Sequence, residues 1–260
     1  MNIVITGSTR GIGYGLAEEF LKAGHGVLIN GRDRMVCAEV YAKLHIKYPE
    51  CLIHIYACDV TCYNSLERMF FEANRFFGSV DIWINNAGMA QADELLIDHD
   101  KNNIDQVIDL NIKAMVYGTK VAIKGMWSKG GFIYNMEGYG SNDMVSDKMS
   151  IYGMSKRALT YFSKSISKEV RGSNVKIGTL SPGMVTTNLL LGSLPKDEET
   201  KKKFSKIYNI LADKVETVTP FLVKKIISNN KNGISIKWLT NRKVFLRFFI
   251  ALFHQRHLIM

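Results

Sequence analysis

The sequence contains no run of about 18 consecutive apolar residues, so it predicts no transmembrane helix. Cysteine is scarce, with four residues in 260, and only the CxxxC pair of Cys58 and Cys62 comes near a metal-ligand spacing. We therefore expect no metal site and reduced thiols. Charged residues make up 22% of the chain and hydrophobic residues 47%, proportions that exclude disorder, collagen-like repeats and coiled coil.

The N-terminal residues have the pattern of a strand and not of a targeting segment. Apolar residues begin at Ile3, and no basic region followed by a longer apolar stretch precedes them. We therefore expect a protein that is not secreted and is located in the cytoplasm.

The net charge of +10 is concentrated in the C-terminal quarter. From Lys196 onward there are 14 basic and 5 acidic residues, a net charge of +9. Lys201, Lys202 and Lys203 stand beside Glu198 and Glu199, which is typical of a solvated helix face. The basic residues are not interleaved with stacking aromatics on a recognisable nucleic-acid module, so we predict no nucleic-acid binding.

Apolar runs and helical patterns alternate along the chain. This order is typical of βαβ units, which build a parallel sheet with helices on both faces. We predict a doubly wound, three-layer α/β/α fold in one domain. The predicted strands cover residues 2–6, 27–30, 52–57, 81–84, 131–135 and 175–180, and the predicted helices cover residues 14–23, 35–48, 63–77, 101–126 and 152–171.

A glycine-rich turn separates the first predicted strand from the first helix. Gly7 lets the chain leave the strand, Gly11 lets the backbone approach a pyrophosphate, and Gly13 lets the helix pack close to the sheet. The helix N-terminus then offers free N–H groups to phosphates. The turn predicts a dinucleotide site at the carboxyl edge of the sheet.

The end of the second strand indicates which dinucleotide binds. An NAD site places an acidic residue there to hold the ribose 2′-hydroxyl. This chain has Asn30 and Gly31, then Arg32, with no acid before Asp33. Arg32 and Arg10 can meet a 2′-phosphate from two sides, although both could also be solvated surface arginines. We predict NADP(H).

A third group of residues suits proton transfer. Tyr152 and Lys156 stand four positions apart on one helix face, where an ammonium can lower the pKa of a phenol. Asn111 lies inside the long predicted helix of residues 101–126, where asparagine is a poor helix former. We expect the helix to be distorted there, around a water.

Together these features resemble the short-chain dehydrogenase/reductase family over about residues 2–190. The resemblance implies a Rossmann-type fold and hydride transfer between NAD(P)H and a carbonyl or an alcohol. The matching motifs are TGSTRGIG from Thr6, CDV from Cys58, NNAG from Asn85, Asn111, YGMSK from Tyr152 and SPGMVTT from Ser181. Residues 1–190 would form the NADP-binding and catalytic core, and residues 191–260 a substrate-loop and C-terminal extension of the same domain.

The resemblance also implies roles for the matching residues. Tyr152 would be the acid/base, Lys156 would lower its pKa and bind ribose, and Asn111 would hold the water of a proton relay. Asp59 and Val60 would flank the adenine, and Val185 and Thr187 would meet the nicotinamide amide. The implied cofactor-binding residues are Gly7, Ser8, Thr9, Arg10, Gly11, Ile12, Gly13, Arg32, Asp59, Val60, Asn86, Ala87, Gly88, Tyr152, Lys156, Pro182, Gly183, Val185 and Thr187.

One position departs from the family pattern. The family has a serine thirteen residues before the tyrosine, where it holds the substrate oxygen, and this chain has Tyr139 there, after Gly138. Ser141 on a reshaped loop or the Tyr139 hydroxyl are the alternative donors, and we favour Ser141 as a catalytic residue. If neither donates, activity would be weak or absent.

The departing stretch itself resembles the chlorophyll b reductases of this superfamily, which reduce a formyl group with NADPH. The similarity covers residues 135–141, 152–157 and 180–190 and continues in the tail at residues 209–211, 215–218 and 236–240. We expect NADPH-dependent reduction of a carbonyl or formyl group on a small hydrophobic substrate. The alternatives are a steroid or bile-acid hydroxyl dehydrogenase of the same family and a catalytically silent NADP-binding scaffold.

The tail of residues 244–253 is apolar except for Arg247. It could pack at a subunit interface, cap the substrate cleft or lie on an anionic membrane surface, in decreasing order of preference. We expect a homo-oligomer, dimer or tetramer, and do not favour membrane contact.

Overall fold

The computed structural model describes residues 1–192, 197–254 and 256–258. Within them, seven strands form one parallel sheet in the order β3-β2-β1-β4-β5-β6-β7. The strands are β1 (Asn2–Ile5), β2 (Gly26–Gly31), β3 (Ile53–Ala57), β4 (Ile82–Asn85), β5 (Gly131–Met136), β6 (Val175–Ser181) and β7 (Ile234–Lys237).

Helices cover both faces of this sheet. A 3₁₀ turn (Leu96–Asp98) precedes the fourth helix, and a π-helical turn (Asp109–Lys113) joins the fourth helix to the fifth. The helices are α1 (Gly11–Lys22), α2 (Arg34–Lys47), α3 (Tyr63–Phe77), α4 (Lys101–Ile108), α5 (Ala114–Met126), α6 (Ser150–Glu169), α7 (Asn188–Gly192), α8 (Glu198–Leu211), α9 (Val215–Ile227) and α10 (Asn241–Ala251).

The central strands divide the core into two layers because successive side chains point to opposite faces of a sheet. Ile3 and Ile5 of β1 join the cluster under α1 and α9, whereas Val4 joins the cluster under α3 and α5. All three side chains are fully buried. Burial on both faces explains why β1 is a continuous apolar run.

The chain order reverses beside β1, which lies between β2 and β4. In a doubly wound sheet such a switch point opens a crevice at the carboxyl ends of the strands. The turn after β1 and the NNAG segment that follows β4 flank this crevice. The fold therefore places both motifs where a dinucleotide would bind.

The predicted doubly wound, three-layer fold is confirmed. The distortion expected at Asn111 is also confirmed, because a π-helical turn that contains Asn111 divides the long helix predicted at residues 101–126. The helix that carries Tyr152 begins at Ser150 and ends at Glu169. The strand β7 was not predicted, because only Ile236 of its four residues is buried.

No helix in the described residues is long and apolar enough to cross a bilayer.

Candidate active site

The glycine turn after β1 is closely packed against the segment that follows β4. Gly7 has a φ of 62°, and a Cβ there would lie 2.9 Å from the Cα of Ala87. A Cβ at Gly13 would collide with the carbonyl oxygen of Gly7 and with the side chain of Asn86. Glycine is therefore required at both positions, and the turn keeps its backbone open toward the crevice.

Hydrogen bonds fix these two segments to each other. The backbone N–H groups of Asn86 and Ala87 both donate to Thr6 Oγ1 at 3.0 Å. The Asn86 side-chain amide donates to the carbonyl oxygens of Thr6 and Gly7 at 2.9 and 3.0 Å. The spacing of the crevice walls therefore depends on Thr6 and Asn86. Gly88 follows in the same segment, and a Cβ there would lie 3.6 Å from Lys156 Nζ.

The loop after β6 closes the crevice from the other side. A Cβ at Gly11, where φ is 57°, would lie 3.4 Å from Thr187 Cγ2. Pro182 and Val185 are buried, and Gly183 has a φ of 72°. Glycines at the N-terminus of α1 offer backbone N–H groups without side chains in the way, as a pyrophosphate requires, so the residues present fit a dinucleotide cofactor.

Ser8 is a structural link in the glycine turn, and its contact with the cofactor stays a prediction. Its side chain is fully buried, and its hydroxyl donates to the carbonyl oxygen of Ile5 at 2.8 Å and accepts from the N–H of Asn30 at 2.9 Å. The Ser8 N–H in turn donates to the Asn30 carbonyl. Ser8 therefore joins the turn to β2, while the neighbouring Thr9 and Ile12 remain half-buried.

The end of β2 offers positive charge and no carboxylate. Asn30 turns inward, where its Oδ1 accepts from the Gly7 N–H at 3.2 Å and its amide donates to the Tyr56 carbonyl at 2.9 Å. Arg10 and Arg32 are exposed, and within the described residues neither guanidinium group makes a hydrogen bond or an ion pair. Two unpaired guanidinium groups at the crevice suit a phosphate dianion.

The predicted adenine-flanking pair follows β3. Asp59 is exposed, and its Oδ1 accepts from the N–H and the hydroxyl of Thr61 at 2.8 Å each. Val60 is buried in the cluster below the sheet. Both residues therefore lie at the same sheet edge as the glycine turn.

Tyr152 and Lys156 occupy the first two turns of α6 and are both buried. The Lys156 ammonium donates to the Met136 carbonyl at 3.2 Å and lies 5.7 Å from the centre of the Tyr152 ring. A Cβ at Gly138 would lie 2.5 Å from Tyr152 Oη. The absence of a side chain at Gly138 therefore leaves open the space in front of the tyrosine hydroxyl.

Burial sets the proton affinities of this pair. It raises the pKa of Tyr152 to about 12 and lowers the pKa of Lys156 to about 8, although the Glu137 carboxylate opposes the second shift. The resemblance implied that Lys156 lowers the pKa of Tyr152. In this structure the desolvation of the phenolate has the larger effect and raises that pKa. At neutral pH Tyr152 is a protonated phenol, ready to donate.

The π-helical turn aims Asn111 at the crevice. Its Oδ1 accepts from the Met89 N–H, and its amide donates to the Met89 carbonyl, both at 2.9 Å. The same amide donates to Ser155 Oγ at 3.1 Å. Both N–H groups of the side-chain amide are therefore engaged, and the role of Asn111 in holding a relay water stays a prediction.

Gly138 faces the tyrosine hydroxyl, because a Cβ at this position would lie 2.5 Å from Tyr152 Oη. Ser141 is buried, and its hydroxyl accepts from the Gly138 N–H at 3.1 Å and donates to the Lys156 carbonyl at 3.3 Å. Its proton is thus directed at α6, and a catalytic role for Ser141 stays a prediction.

Sequence reasoning missed two polar residues that support the catalytic helix. Gln91 Oε1 accepts from the Tyr152 N–H at 2.7 Å, at the start of α6. Glu137 is buried at the end of β5, where its Oε1 accepts from Ser235 Oγ at 3.2 Å. A carboxylate directly after the apolar strand β5 is a signal in the sequence that could have identified Glu137. Nothing in the sequence distinguishes Gln91.

A glycine cradle at the switch point of a doubly wound sheet, with a buried tyrosine and lysine beside it, defines an oxidoreductase that uses a nicotinamide dinucleotide. The chain belongs to the short chain dehydrogenase family, whose sequence model matches residues 1–198.

Two similar proteins are chlorophyll(ide) b reductases. "Chlorophyll(ide) b reductase NOL, chloroplastic" of Arabidopsis thaliana is 33% identical over 260 residues, which cover 95% of this chain and 72% of that protein. "Probable chlorophyll(ide) b reductase NYC1, chloroplastic" of Oryza sativa subsp. japonica is 33% identical over 263 residues, which cover 94% of this chain. The chain spans only 51% of the second protein.

A solved structure of a variant of ElxO with NADPH bound has a TM-score of 0.79 and 25% identity. The superposition covers 91% of this chain and 96% of that chain. It supports both the fold and a nicotinamide cofactor.

Proposed function

We propose that this oxidoreductase uses NADPH to reduce a carbonyl or formyl group to an alcohol. The observation that carries the proposal is the buried Tyr152 hydroxyl, which faces the open space at Gly138 beside Lys156. A phenol whose pKa is raised to about 12 holds its proton at neutral pH, so it acts as a donor, as carbonyl reduction requires.

The residues of the chain divide the work of this reaction. When bound, the dinucleotide supplies a hydride to the carbonyl carbon. Tyr152 Oη hydrogen-bonds the carbonyl oxygen and transfers its proton to it, which yields the alcohol. The ammonium of Lys156, fixed by the Met136 carbonyl, stabilises the negative charge left on the tyrosine oxygen.

NADPH is preferred over NADH in this proposal because of Arg10 and Arg32. Both guanidinium groups are exposed beside the glycine turn, and Asn30 replaces the acid that would repel a 2′-phosphate. The similar ElxO structure was solved with NADPH bound, which is compatible with this proposal.

The substrate class follows from the similarity to chlorophyll(ide) b reductases. We propose a hydrophobic substrate with a formyl or keto group. The specific pigment is a weaker inference than the reaction, because two thirds of the aligned residues differ from those enzymes.

The glycine at position 138 favours a second candidate, a scaffold that binds NADPH without turnover. Gly138 has no hydroxyl to share the substrate oxygen with Tyr152, and the nearby Ser141 proton is directed at the Lys156 carbonyl. A single donor would then have to stabilise the developing oxyanion.

One experiment separates these functions. Oxidation of NADPH is followed with the purified chain and a panel of aldehydes, ketones and formyl-bearing porphyrins, and reduction of NADP⁺ is followed with steroid and bile-acid alcohols. The proposal predicts turnover with at least one formyl or keto compound. Tight NADPH binding without turnover on any compound would establish the scaffold, and turnover only of the steroid or bile-acid alcohols would establish a hydroxyl dehydrogenase.

A further inference from the structure

Helix α10 is attached to the protein by its charged side and exposes its apolar side. Lys243, Val244 and Arg247 are half-buried against the body of the protein. The opposite surface consists of large apolar side chains between 44% and 80% exposed. We call this surface the α10 outer face, and it comprises Phe245, Leu246, Phe248, Phe249, Ile250, Leu252 and Phe253.

Buried ion pairs fix this orientation. The Arg247 guanidinium makes two hydrogen bonds, of 2.9 and 2.7 Å, to the carboxylate of Asp213 and donates to the Leu211 carbonyl at 2.7 Å. Arg256, beyond the helix, donates to Asp213 at 3.0 Å, and Trp238 Nε1 donates to it at 2.6 Å. Rotating α10 to bury its phenylalanines would break this network, so the apolar face is held outward.

This geometry excludes the α10 outer face as a lid over the chain's own cleft. If α10 were free to rotate on the protein surface, it would bury its phenylalanines, because exposed aromatic surface of this extent is unfavourable in water. An apolar surface that partly buried arginines hold outward is suited to an external partner.

The surrounding charge indicates the nature of that partner. The chain from Lys196 onward has 14 basic and 5 acidic residues. Arg242 on α10 and Lys202 and Lys206 on α8 are exposed, and α8 packs directly against α10. Exposed phenylalanine and leucine beside lysine and arginine are the composition of helices that lie in the interface of anionic membranes.

We propose that the α10 outer face docks on an anionic lipid surface. The helix has 11 residues and is about 16 Å long, so it inserts along the interface and does not span the bilayer. A second copy of the chain suits the face less well, because a symmetric contact would bring two strongly basic surfaces together. The proposal is independent of the reaction that the active site catalyses.

Co-sedimentation of the full chain with vesicles tests the proposal. One set of vesicles contains phosphatidylcholine alone, and the other contains equal parts of phosphatidylcholine and phosphatidylglycerol. We expect partition onto the anionic vesicles to be at least about tenfold stronger than onto the neutral ones and to weaken with added salt.

A triple variant, Phe245→Ser with Phe249→Ser and Phe253→Ser, should lose at least about tenfold in this partition. Its matched control replaces three exposed apolar residues on α2 and α3, by Met35→Ser, Ile46→Ser and Phe71→Ser, and should bind like the wild type. A thermal shift induced by NADPH shows that both variants are folded.

Three results would overturn the proposal. The wild-type chain could stay in the supernatant with both kinds of vesicle, or the α10 variant could bind as the wild type does. In the third, size-exclusion chromatography without lipid finds a dimer that only the α10 variant dissociates, which would assign the face to a second copy.

Discussion

At the scale of single residues, the proton affinity of Lys156 results from two opposing effects. Burial lowers its pKa to about 8, and the carboxylate of Glu137 raises it. The ammonium is therefore present below about pH 8 and is lost as the pH rises through that value. We expect kcat/KM for reduction to fall above about pH 8, because this ratio reports the pKa values of the free enzyme.

Glu137→Gln tests the second of these effects. Removal of the negative charge lowers the pKa of Lys156 further, so the alkaline limb of the pH profile should move to lower pH. The matched control is Glu199→Gln, which breaks an exposed pair with Lys203 and should leave the limb in place. A limb that Glu137→Gln does not move would show that Lys156 does not control it.

Arg32 is predicted to select the cofactor. Arg32→Asp replaces a phosphate partner with a repelling charge, so the Kd for NADPH should rise at least about tenfold. Binding of NADH, which lacks the 2′-phosphate, should change less or improve. Fluorescence titration measures the Kd values for NADPH and NADH. Equal losses of affinity for the two cofactors would show that Arg32 does not select between them.

At the scale of elements, the π-helical turn holds the loop after β4 through Asn111. Asn111→Ala would leave the N–H and carbonyl of Met89 without their partners, which should lower the free energy of unfolding by about 2 kcal/mol. Asn103→Ala, on α4, is the control, because its Oδ1 has no hydrogen-bond partner in the described residues, and it should cost well under about 1 kcal/mol. Urea denaturation measures the unfolding free energy of both variants. Equal losses would contradict the conclusion that Asn111 holds the loop after β4.

The C-terminal elements are held by Asp213. Its backbone pairs with Met184 and Thr186 in the loop after β6, and its carboxylate binds Arg247 and Arg256. Asp213→Asn leaves two partly buried guanidinium groups without a counter-charge, so we expect a loss of about 3 kcal/mol in unfolding free energy.

Thermal or chemical denaturation checks this value for Asp213→Asn. The exposed pair of Glu199 and Lys203 supplies the comparison, and Glu199→Gln should cost less than about 1 kcal/mol. If both variants lose the same small amount, the tail is not held to the fold through Asp213.

At the scale of the whole molecule, the sequence predicts six of the strands because each is an apolar run followed by a turn. β7 was not predicted because only Ile236 of its four side chains is buried, so its sequence has no continuous apolar run, and the strand is formed by pairing with β6. The distortion at Asn111 is predicted from the poor helix propensity of asparagine and confirmed by the π-helical turn.

The active site was only partly predictable for a related reason. Glycines with positive φ and a tyrosine and lysine four positions apart are local features, so they can be recognised in one dimension. Gln91 and Glu137 act through contacts with Tyr152 and Ser235, 61 and 98 positions away, which no local pattern contains. The residue that faces the Tyr152 hydroxyl shows the same limit, because the path of the chain after β5 brings Gly138 to that position.

Several whole-molecule expectations stay predictions. These are a homo-oligomeric state, a cytoplasmic location and a functional division between residues 1–190 and 191–260. Membrane contact, the least favoured alternative on sequence grounds, becomes the preferred one because the phenylalanines of α10 face outward.

The measurement that tests the central claim most directly is the turnover of Tyr152→Phe with NADPH and a carbonyl substrate. The substitution removes the donating hydroxyl and keeps the ring. Turnover should fall by about 100-fold or more, while the Kd for NADPH stays within a few-fold of the wild-type value. Retained turnover would contradict the account, because the proton would then come from another group, with Tyr139 the first to examine.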